Sequence, residues 1–187
     1  MIKLKKGAMF GLDARIALAI FGALSVISGA ALYSAIKQAR VIAFVTEMNE
    51  FAKAREQYLL NTGQELPVVG TRNLKTAELV ASSVAGWKGP YWSHKNNTID
   101  PNYLKHPLYN LEMFVIAQET PVWNVPTDTT PICDGSNPCY VWVHITGVNK
   151  PFNQDIDMYI DGSIDGQSGN YRWRDDATYL KVGMKLE

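Results

Sequence analysis

Four aspartates, Asp155, Asp157, Asp161 and Asp165, stand close together among Gly162, Gly166 and Gly169. Calcium takes six to eight oxygen ligands at about 2.3–2.6 Å, and carboxylates on glycine-rich loops supply them. Asp157, Asp161 and Asp165 are therefore candidate calcium ligands, and calcium is the one cofactor this sequence suggests. The spacing is not that of an EF-hand. Two turns, each built on an Asp-Gly pair that tolerates positive φ, account for the same residues without a metal, and the composition favours that reading. His94, His106 and His144 show no paired metal spacing, such as two histidines one helical turn apart. No serine stands in a nucleophile elbow. Cys133 and Cys139 are the only cysteines, and in an oxidising compartment they are expected to form a disulfide around the turn Asp134-Gly135-Ser136-Asn137-Pro138. The chain-entropy model gives a loop that small roughly 2 kcal/mol. The sequence thus offers no catalytic constellation, and an enzyme is not expected.

Charge narrows the partners. Eighteen basic and eighteen acidic residues cancel over 187, and nucleic acid is not an expected partner because that requires a clustered basic surface. Lys3, Lys5 and Lys6 precede a long apolar run with no acid among them. The positive-inside rule then keeps the N-terminus cytoplasmic and places the remainder of the chain outside.

The element that positions everything else is that apolar run. From Ile16 to Ile36 no residue is charged, and at about 1.5 Å per residue a helix of this length covers a bilayer core of roughly 30 Å. Asp13 and Arg15 stand at its entrance. A carboxylate inside the apolar layer costs about 2.5–3.5 kcal/mol at mid-membrane and less near the interface, so Asp13 needs a partner or a favourable place in the first helical turn. Beyond Lys37 the apolar positions Val41, Phe44, Met48, Phe51, Ala52, Tyr58 and Leu59 recur mostly three and four apart. That spacing predicts an amphipathic continuation over 37–62, ended by Asn61-Thr62-Gly63.

The lysine-rich leader ending at Lys6-Gly7, an acid just before a long apolar helix, and an amphipathic continuation together resemble the N-terminus of type IV pilins and type II secretion pseudopilins. The resemblance covers about the first third of the chain. It implies a leader peptide over 1–7, cut on the cytoplasmic side after Gly7 or Ala8, a transmembrane and assembly helix over 8–36, and an extracytoplasmic head over 63–187. A cut after Ala8 makes Met9 the first mature residue and Asp13 the fifth, the place the family gives to an acid; a cut after Gly7 makes Asp13 the sixth. In the family that acid pairs with the N-terminus of a neighbouring subunit as a filament grows, so Asp13 is the expected assembly residue. The implied setting is a bacterial inner membrane with the head in the periplasm or on the surface. The implied partners are further copies of the chain, a prepilin peptidase, a platform protein and an assembly ATPase. Two other layouts compete. One is a secretory signal cut after Ala30, which releases a secreted protein; the other is an uncut anchor carrying a binding module.

For the head, the periodicity predicts a second, shorter helix from Asn73, with Leu74, Ala77, Val80, Ala81 and Val84 on one face. Strands are expected at Met113 to Gln118, Pro121 to Val125, Cys139 to Thr146, Ile156 to Ile160 and Ala177 to Val182. Along Tyr140 to Ile145 the valines and isoleucine alternate with tyrosine, tryptophan and histidine, as on a strand with a helix on one side. Gly86-Trp87-Lys88-Gly89-Pro90-Tyr91-Trp92 resembles the aromatic segment after the corresponding helix of the major pseudopilin, and by itself reads as an aromatic turn beside a sheet. Arg172, Arg174, Asp175 and Asp176 are expected in a solvated polar turn, although Gly169 to Trp173 also resembles a short basic and aromatic strand in minor pilins. The expected fold is α+β, with the long N-terminal helix packed on an antiparallel sheet.

Overall fold

The structure, a computed structural model, describes residues 9–118 and 133–185. Gly7 and Ala8, and the strand expected at Pro121 to Val125, lie outside the described residues. The backbone divides into two compact units, Met1–Ile42 and Ala43–Glu187. Helix α1 (Met9–Thr62) contributes to both.

In the first unit every described side chain from Ile16 to Ile36 is exposed, apolar or not. In the second unit the fold is α+β, with the C-terminal part of α1 packed on an antiparallel sheet. Phe44, Met48, Phe51, Arg55 and Tyr58 are buried at alternating spacings of four and three, which keeps them on one face of the helix. Phe51 stacks on Phe114 with ring centroids 4.4 Å apart. Arg55 is buried through a two-pronged pairing with Glu65, its Nε donating at 2.9 Å to one oxygen and its Nη2 to the other.

The sheet comprises β1 (Val68–Val69), β2 (Asn73–Leu74), β3 (Leu104–Lys105), β4 (Leu111–Gln118), β5 (Cys139–Thr146), β6 (Tyr171–Arg174) and β7 (Ala177–Met184). Their order is β1-β2-β4-β5-β7-β6, with β3 also paired to β4. Every pairing is antiparallel. Register sorts the faces: Glu112, Phe114 and Ile116 lie opposite Ile145, Val143 and Val141, and the Phe51 contact marks this as the helix face. Met113, Val115 and Ala117 lie opposite His144, Trp142 and Tyr140 on the other face. The alternation read along β5 is therefore present, although Trp142 and His144 are buried as well.

Three expectations are corrected. The second helix is only a 3-10 turn, Thr76–Leu79, because Asn73 and Leu74 pair with Val115 and Phe114 in the sheet. Thr76 Oγ1 then donates to the Glu112 carbonyl and accepts from the Leu104 N–H, tying the turn to β4 and β3. Ile156 to Ile160 is not a strand but the end of helix α2 (Lys150–Asp161). Asn149 caps its start, its side chain accepting the Phe152 N–H at 3.0 Å; a proline occupies the first turn, and Gly162 closes the helix at φ 72°. Arg172 and Arg174 are not in a solvated turn. They belong to β6, where Arg172 is buried with its guanidinium 5.1 Å from the Trp142 ring centroid. Only Asp175 and Asp176 form the turn, with Asp175 at φ 49°.

Candidate functional site

An extended apolar surface that could do work is presented by α1. Leu18, Phe21, Val26 and Tyr33 are 71%, 70%, 73% and 72% exposed. This helix is long and apolar enough to cross a membrane. The sequence builds it with no proline and only Gly11, Gly22 and Gly29 as weak points, each with open space around its Cα. Asp13 and Arg15 are exposed on the same helix. At about 25 cal/mol per Å² of apolar surface, a side chain of this size left in water forfeits roughly 1.5–3 kcal/mol. Lipid, or other apolar helices, would recover it.

The aspartates in and just after α2 are engaged as turn acceptors. Asp157 Oδ2 accepts from the backbone N–H of Asp165 and of Gly166, both at 3.0 Å, and from Trp173 Nε1 at 2.8 Å. Burial pushes the Asp157 carboxyl up despite these bonds. Asp161 accepts from the N–H groups of Asn170 and Tyr171. Asp165 accepts from Gln167 and Ser168, and the Ser168 hydroxyl above all holds it below its ordinary value. Among the described residues no three or more His, Cys, Asp or Glu side chains are placed to hold a metal. The three aspartates brace the connection from α2 to β6 instead. Cys133 and Cys139 form a disulfide, Cα atoms 5.9 Å apart, at the start of β5. Trp87, Tyr91 and Trp92 are half-buried: Trp92 packs on Phe51, Tyr91 on Tyr58, and Trp87 Nε1 donates to the Glu78 carbonyl at 2.9 Å.

A cluster that sequence reasoning missed lies between α1 and β4. Glu112 is fully buried on β4. His94 Nδ1 is 2.6 Å from its Oε2, and Trp92 Nε1 donates to the same oxygen at 3.3 Å. His94 Nε2 is 3.6 Å from Glu47 Oε1 on α1, and His106 Nε2 is 3.2 Å from Glu47 Oε2. His106 Nε2 forms no hydrogen bond there, so its approach to Glu47 is a charge–dipole contact. The hydrogen bond to Glu112, reinforced by the charges of Glu112 and Glu47, raises His94 above its ordinary value. The His106 N–H beside it, with the charge on His94, holds Glu47 down. No linear spacing announced this cluster, because its four members come from three segments that only the tertiary fold joins. His144, by contrast, is buried on the other face, with Nδ1 2.9 Å from the Thr178 carbonyl and its ring stacked on Tyr179.

No family model, curated protein or solved structure matches this chain.

Proposed function

We propose that the chain is a structural subunit of a type IV pilus-like filament or type II secretion pseudopilus, polymerising through its N-terminal helix. The observation that carries the reading is the exposed apolar stretch of α1, which a lone subunit in water cannot satisfy. The lysine-rich leader and Asp13 add the resemblance to prepilins. In this mechanism the subunit waits in a bacterial inner membrane with its sheet outside, its assembly machinery extracts it, and copies bundle their apolar helices. Asp13 pairs with the N-terminal amine of a neighbour, which sets register.

The experiment is the intact mass of the mature protein together with filament recovery. A start at Ala8 or Met9, and filaments lost in Asp13→Ala while membrane insertion persists, supports the subunit. A start at Ala31 would sink it in favour of a secreted protein. An uncut, monomeric chain in the membrane would favour an anchored binding module.

A further inference from the structure

The carboxylate and imidazole cluster between α1 and β4 is not used by the proposed polymerisation through the apolar helix, and ionisable groups buried there need an account. Proton accounting fixes the state of its members. His106 Nδ1 accepts from the backbone N–H groups of Leu108 and Tyr109 at 3.1 and 3.2 Å. His106 is therefore neutral, with its proton on Nε2 and that N–H dipole towards Glu47. Freeing Nε2 for a metal would move its proton to Nδ1, which already accepts two backbone N–H groups, and no metal-holding group is found among the described residues.

His94 has no such acceptor duty. Nδ1 faces Glu112 at 2.6 Å and Nε2 faces Glu47 at 3.6 Å, so both nitrogens are set to carry protons and the imidazolium is the form the site accommodates. Glu112 depends on it. One carboxylate oxygen is shared by His94 and Trp92, and the other is buried without a hydrogen-bond partner. Removing the Nε2 proton of His94 leaves the Nδ1–H bond to Glu112 but takes away the positive charge that balances this buried carboxylate and Glu47.

We propose that Glu47, His94, His106 and Glu112 form a proton-operated clamp that pins the segment 92–106 between α1 and β4 while His94 is charged and frees it when His94 loses its proton. The neighbouring elements do not mask this titration. Among the described residues, the charged groups acting on His94 are Glu112 from β4 and Glu47 from α1, and Glu47 is acted on by the N–H of His106 and the charge of His94. Lys95 and Lys105, on the segment and on β3, are exposed. Ile145 of β5 lies across from Glu112, and Phe51 of α1 packs on Trp92, both uncharged. Because the His94 value is raised above 6.5, the clamp contributes in full below 6.5 and is lost as pH climbs through the higher native value. It is closed in mild acid and opens on the alkaline side.

The test uses the full chain in detergent micelles, with ring resonances assigned by His94→Gln. His94 is expected to titrate above 6.5, and amide protection over 92–106, corrected for intrinsic exchange, should fall at least tenfold between pH 6 and pH 9. Amides of β5 and β7 should keep theirs. Glu112→Gln should bring the midpoint down and flatten the pH dependence, and the half-exposed Glu47→Gln should lower the midpoint without unfolding. A wild-type midpoint at or below 6.5, or protection over 92–106 that ignores pH, would overturn the clamp.

Discussion

Replacing His144 with phenylalanine should change the slope of stability against pH more than its value at neutrality. The imidazole is buried between β4 and β7, Nδ1–H donating to the Thr178 carbonyl at 2.9 Å and the ring stacked on Tyr179 at 4.2 Å. Burial lowers it from 6.5 to about 4, with the nearby charge of Arg72 adding to the effect and the Thr178 bond opposing it. A histidine depressed in the folded state contributes stability above its unfolded value and loses it as pH falls through the window from 6.5 to about 4. At about 1.4 kcal/mol per unit, the loss reaches about 3 kcal/mol by pH 4. Phenylalanine keeps the stacking but removes the hydrogen bond, which costs about 1–3 kcal/mol at pH 7, where the wild type is fully credited. The assay is guanidinium unfolding of the full chain in neutral detergent, followed by tryptophan fluorescence at pH 7, 5.5 and 4. His144→Phe should be the weaker protein at pH 7 and equal or stronger at pH 4, the gap closing by about 3 kcal/mol. All other acid-titrating groups are common to both proteins and cancel. A gap that stays constant with pH would refute the assignment of a buried, neutral His144.

The other predictions can be read in the same unfolding assay. Asn149→Ala removes the cap of α2 and should cost about 1 kcal/mol, while Asn149→Asp should cost little. Gly169→Ala puts a Cβ 2.4 Å from Asp161 Oδ2 at a φ of +84°, and should cost about 1–3 kcal/mol through strain and loss of the bonds to Asn170 and Tyr171. Phe51→Ala empties the place stacked on Phe114 and packed against Trp92 and should cost about 3–5 kcal/mol. Adding EGTA should leave the melting temperature of the full chain unchanged; a rise with calcium and a fall on chelation would show that the aspartates take a metal after all.

The fold class could be read from the sequence because it rests on periodicity. Phe44, Met48, Phe51 and Tyr58 mark one buried helical face, and the runs at Met113, Cys139 and Ala177 are strands, the first and last of them two residues longer than expected. Where the sequence misled, local pattern was overruled or a boundary signal was passed over. Leu74, Ala77 and Val84 have helical spacing, yet Asn73 and Leu74 gain more by pairing with β4 than by opening a helix. Ile156 to Ile160 is rich in strand formers, but Asn149, Pro151 and Gly162 are a start and a stop that mark α2 from both ends. An Asp-Gly pair reads as a simple turn, but here Gly162 is the stop of α2. Arg172 was assigned to solvent by its charge, although its long stem and flat guanidinium suit a place over Trp142.

The two kinds of carboxylate in the second unit separate what a sequence can reveal from what it cannot. Asp157, Asp161 and Asp165 drew attention because they are close in the chain, and that closeness is what lets each accept backbone N–H groups of its own loop. A carboxylate satisfied in this way has little left for a ligand. Glu47 and Glu112 are far apart in sequence and looked ordinary, but the fold places them on either side of His94, where one oxygen of Glu112 stays bare. Unfinished hydrogen bonding in the interior marks a site held together by charge balance, and charge balance responds to protons. That makes the Glu47–His94–Glu112 junction, more than the aspartate loop, the place where the proposed clamp would let pH act on this protein.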